Sequence, residues 1–448
     1  MKPMSTQTPP SISDNPTSLI GPEARAVHLS WLFELTSTPS AAGKESRVIA
    51  WIQRWIRQRT DLSLSRDSVG NLTICFIDEP PIPLDAPAHD RVPLYITAHL
   101  DHPAFVIEEA LGEGKFEASF RGGVMDEYFP NAPVAIYPAT STNATSSPNP
   151  TSSTTSNTAP VPAPIRARVE RKVEGTQGPF NHWILTAEPN QPWRDLAIGD
   201  VGVWDVGPPQ LIEGNVHTLA CDDLAAAAAA LAAFDVLREL DQAARREGRR
   251  AFARPVRLFF TRAEEVGFIG TIAAVRENSV PKDARVLLLE NSRSFPDSPI
   301  GAGPIVRVGD RISIFSPRLT DAIAKRAEEL AGGPSIPRAT DKAISRAWKW
   351  QRKLMVGGAC EASVFCAAGY QATCVCLALG NYHNMTNLTE VQAGTYQGIP
   401  PIAREYISLS DFEGLVDLLV ACGVRLGPGG FGTERFDKLW KEAAHVLD

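Results

Sequence analysis

The sequence lacks any apolar run long enough to cross a lipid bilayer. A membrane-spanning helix needs about 20 consecutive apolar residues, and no stretch of the chain reaches that length. Residues 1–21 are rich in Ser, Thr and Pro and contain no apolar segment typical of a secretory signal. We therefore expect no membrane partner and a cytoplasmic location.

Basic residues are also too few and too scattered for a nucleic-acid-binding surface. The chain has 44 Lys and Arg against 51 Asp and Glu, a net charge of -7. Its densest basic cluster, Arg245 to Arg250, ends a helical pattern, where cations complement the helix dipole. The charge balance therefore excludes nucleic acid as an expected partner.

Cysteine usage argues against a disulfide framework. The seven cysteines are an odd number, and none forms a Cys-x-x-Cys pair. Most lie in apolar surroundings, where a reduced thiol behaves as a small hydrophobic group. The pattern is typical of a protein from a reducing compartment.

Two segments have compositions that cannot bury enough apolar surface to fold. One is the N-terminal tail, residues 1–22, and the other is a Ser-, Thr- and Pro-rich stretch at 139–164. We expect both to be disordered. The second segment lies inside a β-rich region, so it is predicted to be a surface loop.

Helical and strand patterns alternate over most of the rest of the 448-residue chain. Residues 23–102 and 218–448 combine apolar strands with amphipathic helices, whereas residues 103–217 show only short alternating strands. This order predicts an α/β domain, formed by 23–102 and 218–448, that is interrupted by a small β domain at 103–217.

The dipeptide Glu264-Glu265 follows the strand-like run Val256–Thr261. Two adjacent carboxylates repel one another unless they share a cation. Because neighbouring side chains diverge on an extended backbone, one could bind a metal while the other accepts a proton from water. A solvated acidic pair in a loop is the simpler interpretation of the dipeptide taken alone.

Other potential ligands also stand at the ends of predicted strands or at the start of a helix. These are His99, Asp101, Asp222, Glu290 and His383. In an open α/β sheet such groups converge at the carboxyl ends of the strands. Each has an ordinary alternative: Asp222 could cap a helix, Glu290 could pair with Arg293, and His383 could be a structural histidine.

Leaving Asp101 aside, these residues and the Glu264-Glu265 pair offer two imidazoles, three carboxylates and a spare Glu. Two divalent ions could each take one His and one further carboxylate while sharing Asp222. The combination predicts a di-metal hydrolytic site more strongly than any member does alone.

The order and local sequences of these residues resemble the TET-type aminopeptidases, a family that includes glutamyl and deblocking aminopeptidases and proteins named endoglucanase. The similar segments are His99–Phe105, Ala197–Trp204, Ala220–Ala226, Glu264–Gly267, Gly303–Asp310 and Gly358–Ala362. They cover the chain from about residue 25 to 425. The resemblance implies a phosphorylase/hydrolase-like three-layer αβα catalytic domain with an inserted β-barrel-like domain.

The same resemblance implies a role for each matching residue. His99, Asp222 and Glu290 would hold one metal ion, and Asp222, Glu265 and His383 the other. Glu264 would be the general base and Asp101 the partner that orients His99. The implied activity is aminopeptidase hydrolysis of peptides with a free N-terminus, using zinc or cobalt, a metal-bridging hydroxide and a homo-oligomeric assembly.

The sequence departs from the family pattern at three positions. His102 stands where the family has Glu and offers an extra imidazole, while Glu290 and Glu361 each replace an Asp. Two other functions share the same residues: a di-metal deacylase or amidase acting on N-acyl amino acids, and a metal-binding homologue without turnover. Adjacent carboxylates are poorly placed to flank a glycosidic bond, so glycoside hydrolysis has no support.

Overall fold

A computed structural model describes residues 20–79, 91–138, 163–252, 254–335, 348–430 and 434–447. Most of the two segments expected to be disordered, residues 1–19 and 139–162, lies outside these ranges. Among the described residues, no helix combines the length and the apolar composition needed to cross a membrane. All seven cysteines lie within the described ranges and are unpaired.

The helices in these ranges are α1 (Pro22–Thr36), α2 (Ser46–Arg57), α3 (Leu224–Arg246), α4 (Ile269–Glu277), α5 (Pro317–Ala331), α6 (Ala362–Ala367), α7 (Leu388–Gln392), α8 (Leu409–Val424) and α9 (Glu434–Ala443). The first strands are β1 (Leu62–Arg66), β2 (Leu72–Phe76), β3 (Leu94–His99), β4 (Ala104–Gly112), β5 (Lys115–Arg121), β6 (Pro133–Tyr137), β7 (Ile165–Val173), β8 (Asn181–Ala187) and β9 (Val201–Trp204). The later ones are β10 (Gln210–Ile212), β11 (Asn215–Thr218), β12 (Val256–Thr261), β13 (Arg285–Arg293), β14 (Ile305–Gly309), β15 (Gln351–Leu354), β16 (Gln371–Leu379) and β17 (Glu405–Ser408).

Eight strands form one mixed sheet in the order β1-β2-β12-β3-β13-β16-β14-β15. Its four central strands, β12, β3, β13 and β16, run parallel to one another. Every residue of β3 is buried, as expected for a central parallel strand covered on both faces. The carboxyl ends of the four strands therefore meet at one edge of the sheet.

Alternate residues of the central strands pack into two separate cores. Ile96 and Leu258 join the core that contains α3 and α8, whereas Tyr95 and Phe259 join the core that contains Phe365 of α6. Because successive strand side chains point to opposite faces, this division places helices on both sides of the sheet. The predicted three-layer αβα architecture is confirmed.

Helix α3 is buried along most of its length because its first turns are almost entirely Ala and Leu. Asp223 immediately precedes the helix, as predicted, but its carboxylate does not cap it. Instead, Asp223 Oδ2 accepts a hydrogen bond from the backbone amide of His99 at 3.3 Å. The acidic start of this helix is therefore tied to strand β3.

Six further strands close into a barrel in the order β4-β5-β8-β7-β6-β9, as predicted for the inserted β-barrel-like region. Aromatic side chains fill its interior, with Phe129 stacked on Trp183 at 3.9 Å between ring centroids. The barrel strands lie within 103–217, while β10 and β11 form a small sheet with β17. The division into domains at residues 102 and 218 stays a prediction.

Candidate metal centre

The structure brings all seven predicted site residues to the carboxyl edge of the central strands. His99 ends β3, and the adjacent strand β12 ends at Thr261, three residues before Glu264. Strand β13 carries Glu290, and His383 follows the end of β16. Asp222 reaches the same edge from the segment before α3.

The turn after β16 has an unusual backbone that presents His383. Asn381, His383 and Asn384 have φ angles of 52°, 53° and 66°. Asn is among the residues that most readily adopt this left-handed conformation, which explains the Asn-rich sequence here. Tyr382 stacks on the imidazole of His383, with ring centroids 3.8 Å apart.

Two groups of three side chains share Asp222. In the first group, His99 Nε2 lies 3.3 Å from Asp222 Oδ1 and 3.8 Å from Glu290 Oε1. In the second, His383 Nε2 lies 3.5 Å from both Asp222 Oδ2 and Glu265 Oε1. Each group offers ligand atoms within 4.8 Å of one another, a spacing that could hold a metal ion.

A third group of potential ligands consists of His99, Glu264 and Glu265. It overlaps both of the other groups, and Glu264 Oε2 lies 3.9 Å from His99 Nε2. The carboxylate of Glu264 therefore stands beside the two groups that share Asp222.

Both imidazoles have a defined orientation. His99 Nδ1 lies 3.1 Å from the backbone oxygen of Asp101, and His383 Nδ1 lies 2.6 Å from that of Gly123. A carbonyl oxygen only accepts, so Nδ1 must carry the proton in each ring. The Nε2 atoms then face the carboxylates of the site, which is the arrangement that supports metal binding by histidine.

Asp101 organises the Glu264-Glu265 dipeptide. Its two carboxylate oxygens accept hydrogen bonds from the backbone amides of Glu264 and Glu265, each at 3.0 Å. The same carboxylate lies 3.6 Å from His99 Nδ1, farther than the Asp101 backbone oxygen. Asp101 thus links the end of β3 to the loop that carries the two glutamates.

Burial and mutual repulsion shape the electrostatics of the site. Burial raises the pKa values of Glu264, Glu265 and Glu290 well above their usual range, and repulsion by neighbouring carboxylates adds to that effect. Burial would lower the pKa of His99, but the charge of Glu264 and the nearby acids raise it well above normal. The cluster therefore favours a compensating positive charge.

The side chains present fit two divalent cations. Asp222 Oδ1 and Glu265 Oε1 are buried and have no hydrogen-bond partner among the described residues. A buried carboxylate oxygen without a partner costs free energy, and coordination would remove that cost. Imidazole nitrogens combined with carboxylate oxygens are ligands that suit zinc and related ions.

The site opens into a cleft of about 670 Å³. Asp222, Glu264, Glu265, Glu290 and His383 all line it. A smaller adjoining cavity of about 200 Å³ lies between Glu265 and aromatic residues of the barrel. The barrel thus forms part of the wall around the candidate centre.

Glu405 is a supporting residue that sequence reasoning missed. Its fully buried carboxylate accepts hydrogen bonds from the backbone amides of Cys221, Asp222 and His383 at 2.6, 3.1 and 2.7 Å. It therefore holds the segments that carry Asp222 and His383, two of the three residues in the second group of ligands. No motif marks it, because it lies 22 residues after His383 in the sequence.

His102 and Glu361, two departures from the family pattern, lie outside the three groups of potential ligands. His102 Nδ1 is 2.6 Å from the Asp222 backbone oxygen, and its Nε2 is 3.1 Å from Asn384 Oδ1. Glu361 accepts a hydrogen bond from the Thr271 hydroxyl. Both ring nitrogens of His102 are thus engaged in supporting the site.

Comparisons by sequence and by structure give different results. No protein-family model matches the sequence, and no curated protein matches it significantly. Solved structures do match it, at sequence identities of 16–18% for the three described next.

The similar structures carry the names of peptidases or of endoglucanases. An aminopeptidase from Desulfurococcus kamchatkensis superposes with a TM-score of 0.63 at 16% identity, covering 90% of this chain and 96% of that one. TET1 peptidase from Pyrococcus horikoshii gives 0.60 at 18% identity, covering 89% and 100%. An endoglucanase from Thermotoga maritima gives 0.53 at 16%, covering 88% and 96%. The chain therefore has the fold of the TET-type aminopeptidases.

Proposed function

We propose that this protein is a di-metal aminopeptidase that removes N-terminal residues from peptides. The observation that carries the proposal is the pair of His-carboxylate groups that share Asp222 inside the cleft. The fold is that of solved structures named as aminopeptidases, which supports the same activity.

Five side chains would hold the metal ions, which we propose to be zinc or cobalt. His99, Asp222 and Glu290 would bind one ion, and Asp222, Glu265 and His383 the other. When bound, two such ions would supply Lewis-acid chemistry, which lowers the pKa of water and polarises the scissile carbonyl. The arrangement leaves Glu264 free of both ligand sets.

Glu264 is the proposed general base. Its carboxylate stands beside both ligand groups, 3.9 Å from His99 Nε2, where it would accept a proton from the attacking water and then donate it to the leaving amine. Asp101 positions Glu264 by accepting its backbone hydrogen bond, and it positions Glu265 in the same way. Asp101 therefore fixes the backbone positions of the proposed base, Glu264, and of the adjacent proposed metal ligand, Glu265.

We also propose that the protein forms a homo-oligomer and is located in the cytoplasm. The Pyrococcus horikoshii TET1 peptidase can assemble into a tetrahedron or a large octahedral shell, which supports a homo-oligomer for this chain. Seven unpaired cysteines support a location in the cytoplasm. We also propose that residues 103–217 form a domain inserted between 23–102 and 218–448.

Metal removal and restoration test the proposed function. We expect chelation to abolish hydrolysis of aminoacyl-p-nitroanilides, and we expect zinc, cobalt or manganese added to the apoprotein to restore it. The matching N-acetylated anilides serve as the control, because they lack the free amine. Cleavage of N-acyl amino acids without cleavage of free-amine substrates would instead identify a deacylase. Less than one divalent ion per chain would contradict both activities.

The supporting role of Glu405 leads to a prediction about metal affinity. Glu405→Gln keeps the shape but replaces one accepting oxygen with an NH2 group that faces a backbone donor. We expect metal affinity to fall about 10- to 100-fold, the usual effect of losing a group that orients ligands. Competition with a chromophoric chelator measures the change.

Asp411→Asn is a matched control for Glu405→Gln. The buried carboxylate of Asp411 also accepts two backbone hydrogen bonds, from Gly301 at 2.7 Å and from Gly303 at 2.8 Å. Both variants should lose stability, since each leaves a buried donor unsatisfied. Equal metal affinities in the two variants would show that Glu405 has no specific role in metal binding.

A further inference from the structure

Glu45 is a buried carboxylate that contacts the loop carrying Glu264 from outside the cleft. It has 0% of its surface exposed, and it immediately precedes helix α2. A polar residue at that position often caps the helix, but the Glu45 side chain makes no capping hydrogen bond. Its carboxylate instead contacts the backbone of Ala263, which lies 218 residues away in the sequence.

Both oxygens of Glu45 are fully engaged by hydrogen-bond donors. Oε1 accepts hydrogen bonds from the backbone amides of Ala263 at 3.1 Å and of Gly43 at 2.7 Å. Oε2 accepts a hydrogen bond from Arg262 Nε at 2.8 Å and lies 2.7 Å from Nη2 of the same guanidinium. An ionised carboxylate can accept from all of these donors, whereas the amide of a glutamine offers only one accepting oxygen. The contacts therefore depend on the charge of Glu45 as well as on its length.

Ala263 has a backbone conformation that alanine rarely adopts. Its φ angle is 54°, in the left-handed region, where the Cβ of an L-residue crowds the following carbonyl oxygen. A residue in such a conformation persists only when its surroundings hold it there. The hydrogen bond from its amide to Glu45 is one such restraint on Ala263. Because Glu264 is the next residue, this conformation sets the direction in which the chain enters Glu264.

Asp101 holds a different part of the same loop. It accepts the backbone amides of Glu264 and Glu265, which follow Ala263. Glu265 therefore keeps its own anchor when Glu45 is changed, and in the proposed centre a metal ion holds its side chain as well. Loss of the contact with Glu45 should thus displace the proposed base more than the proposed metal ligand.

We propose that Glu45 is a positioning residue for the general base, acting by holding Ala263 in the left-handed conformation that directs Glu264 toward the attacking water; this inference rests on the proposed aminopeptidase activity. Proton transfer requires the base to lie within hydrogen-bond reach of the water. A displacement of only about 1 Å can lower the rate about 100-fold. Arg262 supports this role by engaging the second oxygen of Glu45.

Glu45→Gln tests the role through kcat. The amide has the size of the carboxylate but presents its NH2 group either to the Ala263 amide or to Arg262, both of which are donors. We expect kcat for aminoacyl-p-nitroanilides to fall about 10- to 100-fold, the effect of a misplaced catalytic group. KM and the content of bound metal should change little. A loss of metal that accounts for the lost activity would overturn the proposal.

Ala263→Gly, added to Glu45→Gln, tests whether Glu45 acts through the conformation of Ala263. Glycine adopts a positive φ without the crowding caused by Cβ, so the loop no longer needs the restraint from Glu45. We expect the double variant to recover most of the kcat lost in Glu45→Gln. A role of Glu45 in stability alone predicts no recovery, and that result would overturn the proposal.

Asp411→Asn is the matched control for the single variant. Its buried carboxylate also accepts two backbone hydrogen bonds, from Gly301 and Gly303, but lies away from the Glu264 loop. We expect this variant to lose stability and to keep a kcat close to that of wild type. An equal fall of kcat in Asp411→Asn and Glu45→Gln would overturn the proposal.

Ala263→Val tests the inference even if Glu45→Gln does not fold. It leaves Glu45 and Arg262 in place, and a β-branched side chain is especially unfavourable at a positive φ. We expect the same fall of kcat with the metal retained. A wild-type kcat in Ala263→Val or in Glu45→Gln would overturn the inference alone. A metal-loaded wild-type protein that cleaves no aminoacyl substrate would overturn the proposed function and this inference together.

Discussion

Glu264→Gln is expected to keep both metal ions and to lose turnover. The amide has the size of the carboxylate but cannot accept a proton at neutral pH, so the attacking water loses its base. We expect kcat to fall about 100- to 10,000-fold, the usual contribution of a general acid–base. Metal content and kcat, measured on the same preparation, separate this effect from loss of the metal centre.

Glu361→Gln is a suitable control for that substitution. Glu361 is also a buried glutamate, but it accepts a hydrogen bond from Thr271 and lies outside the potential ligand groups. A glutamine can still accept that bond, so the loss of kcat should be far smaller. Near-normal hydrolysis by Glu264→Gln would mean that another group removes the proton.

Asp222→Asn should have the largest effect on metal binding. The two oxygens of Asp222 face His99 and His383, so a single change affects both ligand groups. The asparagine amide keeps one oxygen for one of the two proposed metal ions and presents its NH2 group to the second ion. We expect the loss of affinity to exceed the roughly 10- to 100-fold seen for groups that only orient ligands.

Thermal unfolding with and without metal measures this loss. At a free metal concentration about 100 times Kd, binding adds about 2.7 kcal/mol to the free energy of unfolding. The wild-type Tm should rise on adding zinc, whereas the Asp222→Asn protein should show little change. Its metal-free form should be less stable than wild type, because burial alone would raise the pKa of Asp222 but His383 and His99 lower it below its usual range, and the amide loses that stabilisation.

Asp235→Asn provides the comparison for Asp222→Asn. Asp235 lies within helix α3 and pairs with Arg59, away from the ligand groups. This variant should lose stability with and without metal by the same amount. A full zinc-dependent rise of Tm in Asp222→Asn would remove Asp222 from the ligand set.

The sequence predicted the fold, and it pointed to polar residues that the structure brings together at one edge of the sheet. Apolar strands followed by polar residues, as at His99 and Glu264, have a physical meaning in an α/β sheet, because strand ends share one edge. The grouping of the two imidazoles around Asp222 agrees with that expectation. The metal-binding role of each residue stays a prediction.

Supporting residues could not be predicted in the same way. The Asp222 backbone is held by Glu405 from one side and His102 from the other, across sequence separations of 183 and 120 residues. Backbone hydrogen bonds of this kind place no demand on neighbouring residue types. They therefore leave no local motif.

The sequence by itself determined the alternating architecture and the chemical types at the strand ends, because both follow from local patterns of polarity. Only the tertiary structure decided which groups lie together. It placed Asp222 between two imidazoles, tied Asp101 to the Glu264-Glu265 amides and brought the carboxylate of Glu405 to the backbone amides of Asp222 and His383. Those relations depend on strand order and on contacts between distant segments, which local sequence patterns do not encode.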